Sequence, residues 1–180
     1  EQTLHYLNLA FAAMDVDVIG GFNYQPILAN PTLRRIAGVL DIELHCTDEE
    51  AQRIVHTIQI GAASTQRVAG LLKESTLLIV NSSRDELLVT LANLYKLPEY
   101  SDKLAGIIIP GVGPISSITQ RIIDNSGIPY MRAGRTSTTV FEMVKEDVSK
   151  VVAEDFEKIE LIKKLAEQRL DFEKIDSFLD

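Results

Sequence analysis

The sequence has a single cysteine, Cys46, and no tryptophan. One thiol cannot form a disulfide within the chain, which agrees with a reducing compartment, and we expect a cytoplasmic protein. Histidine is also scarce, and His5, His45 and His56 lack the paired spacing of metal ligands. Since Cys46 and His45 have no further ligands near them in the sequence, we expect neither a metal site nor a cofactor.

An excess of positive charge and long apolar runs are absent as well. The chain has 18 Lys and Arg residues against 26 Asp and Glu residues, and its formal net charge is −8. Nucleic-acid binding needs clustered basic residues that neutralise phosphates, so nucleic acid is not an expected partner. The apolar runs are too short to cross a bilayer, and the first residues lack the basic start of a signal peptide. We therefore expect no membrane partner.

Strand and helix patterns alternate through the middle and second half of the chain. Strands are predicted at 76–81, 105–111 and 128–134, and the first two are almost wholly apolar, as central strands are. Helical patterns separate and follow them. This alternation predicts βαβ units, and we expect an α/β fold with a mostly parallel sheet flanked by helices. The predicted helices span 64–73, 83–96, 115–127 and 136–146.

Residues 53–61 have a different pattern. Ile58 and Ile60 alternate there with the polar residues Thr57 and Gln59. Alternation is typical of a strand that buries only one of its faces. We therefore predict an edge strand or an antiparallel strand, or a strand at an interface.

The two ends of the chain combine helices with short extended stretches. A helix over 30–40 is predicted to begin with Asn30 as N-cap and Pro31 at its first position. Further elements are predicted as helices at 3–14, 154–170 and 171–179 and as strands at 16–22 and 41–46. In the helix at 154–170, an apolar stripe along one side consists of Phe156, Ile159, Ile162 and Leu165. The polar residues after 46 suggest a division into a segment 1–46, from a preceding domain or a linker, and a domain 47–180.

Polar and small residues follow three of the predicted strands, where parallel α/β sheets place their sites. In the first such stretch, Ser82 or Ser83 is suited to cap the next helix, and Arg84 is a candidate contact for an anion. Asp85 and Glu86 oppose that charge. Capping is therefore the preferred interpretation of this stretch, with ligand contact as the alternative.

The second stretch is the loop "PGVGPIS" after the strand at 105–111. Gly111 and Gly113 permit a positive φ or a close backbone approach, and Pro114 suits a first helical turn. A dinucleotide fingerprint needs a glycine where Ser116 stands, and a Walker loop needs a lysine that is missing. The loop is thus interpreted as a structural turn, with weak anion or nucleotide contact as the alternative.

The third stretch, "RAGRTSTT", is the best anion-site candidate. Arg132 and Arg135 flank a glycine, and Thr136, Ser137 and Thr138 open the next helix. Guanidinium groups, hydroxyls and helix N–H groups are what an oxyanion prefers. Helix capping together with surface ion pairs is the competing explanation. No serine can be tied to a base by the sequence, so no catalytic residue is expected.

The stretches "TLLIVNSSRDELLVTLANL" and "LAGIIIPGVGPISSITQRIIDNSGIPYMRAGRTSTTVFEMV" resemble the DRTGG domain. That domain lies in the middle of long bacterial phosphate acetyltransferases, in some CBS-containing pyrophosphatases and in small stand-alone proteins. The resemblance implies a three-layer fold for 47–180. The front, "VDVIGGFNYQPILANPTLRRIAGVLDIELHC", resembles the end of the dethiobiotin-synthetase-like domain that precedes DRTGG in the acetyltransferases, with a short strand–helix segment.

The chain departs from the motif of that family in two places. The Asp-Arg pair of the family corresponds here to Ser83 and Arg84, and the Thr-Gly-Gly turn corresponds to Pro110, Gly111 and Val112. A hydroxyl and one glycine are lost. These changes weaken the expectation that the chain keeps a ligand shared by the family.

The resemblance implies a non-catalytic regulatory and assembly region of a phosphate acetyltransferase, which converts acetyl-CoA and phosphate into acetyl phosphate and CoA. Its partner in the full-length chain would be a catalytic acyltransferase domain, and its ligand an anionic metabolite or nucleotide. A homodimer is expected, because the strand at 53–61 offers a surface for self-pairing. The alternative is a stand-alone nucleotide-sensing DRTGG module that is unrelated to acetyl transfer.

Overall fold

The computed structural model describes residues 2–14, 16–147, 150–153 and 155–178. Its strands are β1 (Leu44–His45), β2 (Thr57–Ile60), β3 (Thr76–Ile79), β4 (Leu104–Pro110) and β5 (Tyr130–Ala133). Its helices are α1 (Gln2–Phe11), α2 (Pro26–Ala29), α3 (Leu33–Leu40), α4 (Asp48–Ala51), α5 (Thr65–Leu71), α6 (Asp85–Leu94), α7 (Pro98–Ser101), α8 (Ser117–Asp124), α9 (Ser137–Glu146), α10 (Phe156–Arg169) and α11 (Phe172–Asp176), with a 3₁₀ turn at Ala12–Met14.

The five strands form one sheet in the order β1-β5-β4-β3-β2. Strands β2 to β5 are parallel, and β1 pairs antiparallel with β5. β3 and β4 lie in the centre and are buried along their whole length, which agrees with their apolar sequences. The predicted α/β fold with a mostly parallel sheet is therefore confirmed.

Helices cover both faces of the sheet, so the fold has three layers. On one face, α3 and α9 pack through residues such as Ile36 and Val140 onto Ile79 and Ile108 of the central strands. On the other face, α5, α6 and α8 pack onto the alternate strand residues. The second core contains Val68, Leu78, Val80, Leu87, Leu88, Leu91, Ala92, Leu104, Ile107, Ile109, Ile123 and Ile128, among others.

The strand predicted at 53–61 is the edge strand β2, as one of the alternatives proposed. It runs parallel to β3, so the antiparallel alternative is wrong. Its residues Thr57, Ile58 and Gln59 are half-buried and Ile60 is exposed, which is the pattern of a strand with a single neighbour.

The helix predicted from Asn30 begins later, and its N-cap is Thr32. The Thr32 hydroxyl accepts a hydrogen bond from the Arg35 N–H at 3.2 Å. Residues 31–32 are extended instead of helical because they pair with another segment: the carbonyl of Pro31 accepts from the Val55 N–H at 2.9 Å. Because of this long-range pairing, α3 begins later than its local sequence predicts.

The first part of the chain contributes to the same sheet and core as the rest. Helix α3 is buried against the sheet, and the strand predicted at 41–46 is observed as β1 beside β5. The division into 1–46 and 47–180 stays a prediction. The strand predicted at 16–22 is wrong, because these residues make only an isolated bridge between Gly20 and Leu170.

The long helix near the end, α10, buries only part of the apolar stripe that its sequence predicts, since Ile159 and Leu165 are half-buried. The side chain of Phe156 is 65% exposed and that of Ile162 is 39% exposed. The fully buried residue is Lys158, whose ammonium lies 3.6 Å from the carboxylate of Asp155. The stem of a lysine can cover apolar surface while its charge is paired, which explains this orientation. The start of the predicted helix, Glu154, lies outside the described residues.

Candidate anion site at the carboxyl ends of the strands

The four parallel strands end at one edge of the sheet. The loops that leave β2, β3, β4 and β5 therefore come together there, as the sequence predicted for three of them. Seven of the eight predicted site residues lie on these loops or on the helix starts behind them, and Arg132 lies near the end of β5. Their side chains nevertheless have different surroundings.

Gly111 turns the chain from β4 into the loop. Its φ is +103°, a conformation that favours glycine, and its N–H donates to the carbonyls of both Ala133 and Arg135 at 2.9 Å. A Cβ atom at Gly111 would lie 3.3 Å from Oγ of Ser82, and one at Gly113 would lie 3.5 Å from the same atom. The β4–α8 loop therefore touches the loops that follow β3 and β5.

Arg132 lies on β5 beneath the β4–α8 loop. Its neighbours Met131 and Ala133 point into the core under α3 and α9, so its own side chain lies on the opposite side of the sheet. Nη2 donates to the carbonyl of Gly113 at 3.0 Å. Nη1 is shielded from solvent and has no hydrogen-bond partner among the described residues.

An unpartnered guanidinium nitrogen away from water is unfavourable, because the desolvation of its N–H groups is not compensated. Charged oxygens are the strongest partners for such a group, and carboxylates or phosphates often engage both terminal nitrogens. The surroundings of Arg132 therefore fit an anionic ligand group. Of the eight predicted residues, Gly111, Gly113 and Arg132 are the ones that share this position.

Arg84 is engaged with protein groups. Nη1 donates to the carbonyl of Gly61 at 3.2 Å, Nη2 donates to the carbonyl of Ala63 at 3.1 Å, and Nε donates to the carboxylate of Glu86. The hydrogen bond from Arg84 lowers the pKa of Glu86. Arg84 thus ties the β2–α5 loop to the start of α6, a role that the sequence did not predict.

The serines before α6 do not cap it, so that prediction is wrong. The N-cap position is Arg84, and no side chain caps the helix there. The Ser83 N–H and hydroxyl both donate to Oδ1 of Asn81 at 3.0 Å, which forms a local turn ahead of the helix. Asn is a common turn residue, so Asn81 was the available signal in the sequence.

Ser82 lies beside two of the candidate site residues, and the sequence analysis treated it only as a cap. It is buried, its Oγ faces Gly111 and Gly113, and this hydroxyl makes no hydrogen bond with the described residues. A hydroxyl in that position is available to donate to a ligand oxygen. Its contact with the glycines depends on the pairing of β3 with β4, which the local sequence does not reveal.

The residues at the start of α9 have a mainly structural arrangement. The hydroxyl of Thr136 accepts from the Thr139 N–H at 3.2 Å, so the predicted capping is confirmed for Thr136. Arg135 is exposed, and its Nη1 contacts Sδ of Met143 at 2.6 Å. Ser137 is half-buried and Thr138 is exposed in the first turn of α9. These four residues border the site and do not join Arg132 within it.

A cavity lies elsewhere, between α3, α4 and the start of α10. It has a volume of about 980 Å³ and is lined by residues including Arg34, Glu50, Arg53 and Phe156. Its charges are of both signs, and Arg53 already donates to the carbonyl of Leu104 at 2.8 Å. Size alone therefore does not make this cavity a better ligand site than the loops around Arg132.

In the described part of the chain, no helix is both long and apolar enough to cross a bilayer. In the same residues, no group of three or more His, Cys, Asp and Glu side chains is placed to hold a metal ion.

The fold is a three-layer α/β arrangement, and sequence comparison gives its family. A model of the DRTGG domain matches residues 35–146, more than half of the chain. The chain therefore belongs to the DRTGG domain family, and the predicted resemblance to that domain is confirmed. No curated protein matches the chain.

Among solved structures, the chain is similar to the CBS and DRTGG domains of the regulatory region of Clostridium perfringens pyrophosphatase, complexed with the activator diadenosine tetraphosphate. The sequence identity is 16% and the TM-score is 0.49, over 88% of this chain and 69% of that chain. The predicted link to phosphate acetyltransferases is not shown by these comparisons and stays a prediction. A full-length gene product with a C-terminal acyltransferase domain would support it.

Proposed function

We propose that the chain is a non-catalytic regulatory module that senses an anionic metabolite or nucleotide at the carboxyl ends of β3, β4 and β5. The observation that carries this proposal is the buried Nη1 of Arg132, which has no hydrogen-bond partner among the described residues. A phosphate or carboxylate would supply one. The hydroxyl of Ser82, which lies against Gly111 and Gly113, offers a further donor for it.

Regulation by such a ligand requires that it bind two arrangements of the protein unequally. The site suits this requirement because it joins three loops. Gly111 donates to the end of β5, and the Ser82 N–H donates to the carbonyl of Pro110 at 3.4 Å. A ligand that changes one loop therefore acts on its neighbours.

The test is titration calorimetry of the purified chain with ATP, AMP, NADH, pyruvate, phosphoenolpyruvate and diadenosine tetraphosphate. We expect at least one anionic compound to bind, and Arg132→Gln to weaken its binding by about 1.5–3 kcal/mol, the range for hydrogen bonds to charged groups. Arg121→Gln, an exposed residue on α8, removes the same charge and should leave the affinity unchanged.

Two results contradict the proposal. The first is an equal ligand affinity of wild type and Arg132→Gln, which would show that Arg132 is not part of the site. The second is formation of acetyl phosphate when the purified chain is incubated with acetyl-CoA and phosphate, which shows that the chain is itself a catalyst.

We further propose that the module assembles as a homodimer through the free edge of β2. In β2 the N–H of Thr57 bonds to β3, and the same ladder pattern turns the N–H groups of Ile58 and Ile60 outward. The strand has no proline and no charged residue, the usual devices that protect an edge. The opposite edge strand, β1, has only two residues.

A further inference from the structure

We propose that the anion enters only when the β4–α8 loop, residues 111–116, lifts away from Arg132, so that ligand binding and loop opening are one event. This inference rests on the proposed sensing function and specifies how the same site is regulated. Nη1 of Arg132 has almost no solvent-accessible surface. No ligand oxygen can reach this atom while its cover stays in place.

The cover includes the loop that Arg132 itself holds. Nη2 of Arg132 donates to the carbonyl of Gly113 at 3.0 Å, in the middle of the loop. One terminal nitrogen of the guanidinium is therefore hydrogen-bonded to the loop, and the other has no partner among the described residues. If an oxyanion replaces the Gly113 carbonyl, both nitrogens bind charged oxygens, which is the preferred two-point geometry of arginine.

The loop is fixed at its two ends and loosely held between them. At the first end, the N–H of Gly111 is bound by two carbonyls of the β5–α9 connection. At the second end, the Ser116 hydroxyl accepts from the Thr119 N–H at 3.1 Å and caps α8. Between them, Ile115 packs against the second core, but Val112 is 91% exposed, so packing does little to hold the part around Gly113 in place.

The chemistry of the opened site selects a phosphate-type oxyanion. Arg132 offers a planar pair of nitrogens, and the Ser82 hydroxyl offers a further donor on the other side of the glycines. Val112 and Ile118, both largely exposed, provide apolar surface on the loop and on the first turn of α8. A phosphate that carries an apolar base or sugar gains contacts with that surface, whereas free phosphate gains none.

A reversible crosslink tests loop opening directly. A Cβ at Gly113 would lie 3.5 Å from the side-chain oxygen of Ser82, within the reach of a disulfide. The variant Ser82→Cys, Gly113→Cys is made with Cys46→Ser, so that no other thiol interferes. Oxidation locks the loop to the β3–α6 connection, and reduction of the same protein is its matched control.

The reduced variant already lacks the Ser82 hydroxyl, so it should bind ATP more weakly than wild type; we expect the oxidised variant to bind at least about tenfold more weakly than the reduced one, since the locked loop keeps the charge-assisted bonds to Arg132 from forming. In the wild-type chain, ATP should change amide hydrogen exchange in residues 111–117 by at least about twofold. Equal affinity in the oxidised and reduced forms, or unchanged exchange in the loop of ATP-bound protein, overturns the inference.

Inorganic phosphate and adenosine separate the possible sources of the oxyanion. If oxidation weakens the binding of inorganic phosphate as strongly as the binding of ATP, free phosphate is sufficient as the ligand. If ATP binds more tightly than phosphate, the ligand is a nucleotide. Adenosine should bind the oxidised and reduced forms of the variant with equal affinity, or bind neither of them. If neither ATP nor phosphate binds the wild-type chain, loop opening for a phosphate-type ligand is rejected, and the proposed sensing function is rejected as well if none of the other titrated compounds binds. If ATP binds and the lock has no effect, only loop opening is rejected.

Discussion

At the scale of single residues, three arginines that the sequence placed in one candidate site have three different environments. Arg132 lies beneath a loop, and its Nη1 has no hydrogen-bond partner among the described residues. Arg84 donates to backbone carbonyls, and Arg135 is exposed and contacts Met143. Their chemistry is identical in the sequence. The difference arises from which loop each side chain reaches.

Arg84 should contribute to stability more than to ligand binding. Arg84→Ala leaves the carbonyls of Gly61 and Ala63 without their charged donor, so we expect the free energy of unfolding to fall by about 1–3 kcal/mol. Urea denaturation measures this change. Arg67→Ala, an exposed residue on α5, is the control and should cost little. An Arg84→Ala protein as stable as wild type would show that these contacts are not maintained in solution.

At the scale of elements, the helices begin where specific side chains satisfy free N–H groups. The clearest case is α4, where Thr47 accepts from the Glu50 N–H and the Glu50 carboxylate accepts from the Thr47 N–H at 3.0 Å. The hydroxyl of Tyr95 also donates to Glu50 at 2.9 Å, which ties this short helix to the region after α6. A four-residue helix is thereby fixed through its first turn.

These hydrogen bonds make the stability of the protein depend on pH. Burial alone would raise the pKa of Glu50, but the hydrogen bonds from Thr47 and Tyr95 outweigh it, and the pKa lies below its usual value. The stabilisation is therefore complete above the unfolded-state pKa, near 4.3, and is lost as the pH falls through the lower folded-state value. Glu50→Gln should thus be less stable than wild type by about 0.5–1.5 kcal/mol at pH 7.

The same comparison at acidic pH completes the test. In urea denaturation between pH 7 and pH 3, the difference between Glu50→Gln and wild type should shrink as the pH falls below about 4. Glu49→Gln removes a carboxylate from the same turn of α4, where Glu49 is exposed, and serves as the control. A difference that stays constant with pH would exclude the ionised Glu50 as its source.

At the scale of the whole molecule, the sheet has one protected edge and one open edge, and the two ends of the chain meet. The Asp171 N–H donates to the carbonyl of Ile19 at 2.8 Å, and Lys174 forms an ion pair with Asp17. These contacts bring the first and last segments together away from the loop site. The open edge is β2, which makes it the surface where assembly is expected.

Ile60→Lys tests assembly through this edge. Ile60 is 40% exposed, so a lysine there should not disturb the core, but a twofold contact would bring two ammonium groups close together. We expect self-association to weaken by roughly tenfold or more, which corresponds to about 1.4 kcal/mol. Sedimentation velocity over a concentration series measures it, with the exposed Leu71→Lys on α5 as control. A wild-type chain that is monomeric at all concentrations contradicts the dimer.

The local sequence pattern was sufficient to predict most of the helices and strands. It was insufficient where segments that are distant in the sequence pair with each other. The central strands, the edge strand and the helices between them follow from apolar runs, alternation and helical spacing. The start of α3 was misplaced because Pro31 pairs with Val55, a residue that is distant in the sequence. That contact has no counterpart in the local sequence.

The sequence by itself determined the order of strands and helices, and with it the edge at which the loops come together. It did so because hydrophobic periodicity is a local property and parallel strands must end on the same side of a sheet. Only the tertiary structure decided which arginine is left with an unsatisfied nitrogen. That outcome depends on strand register and on the path of three loops, which place Arg132 under Gly113 and Arg84 beside Gly61.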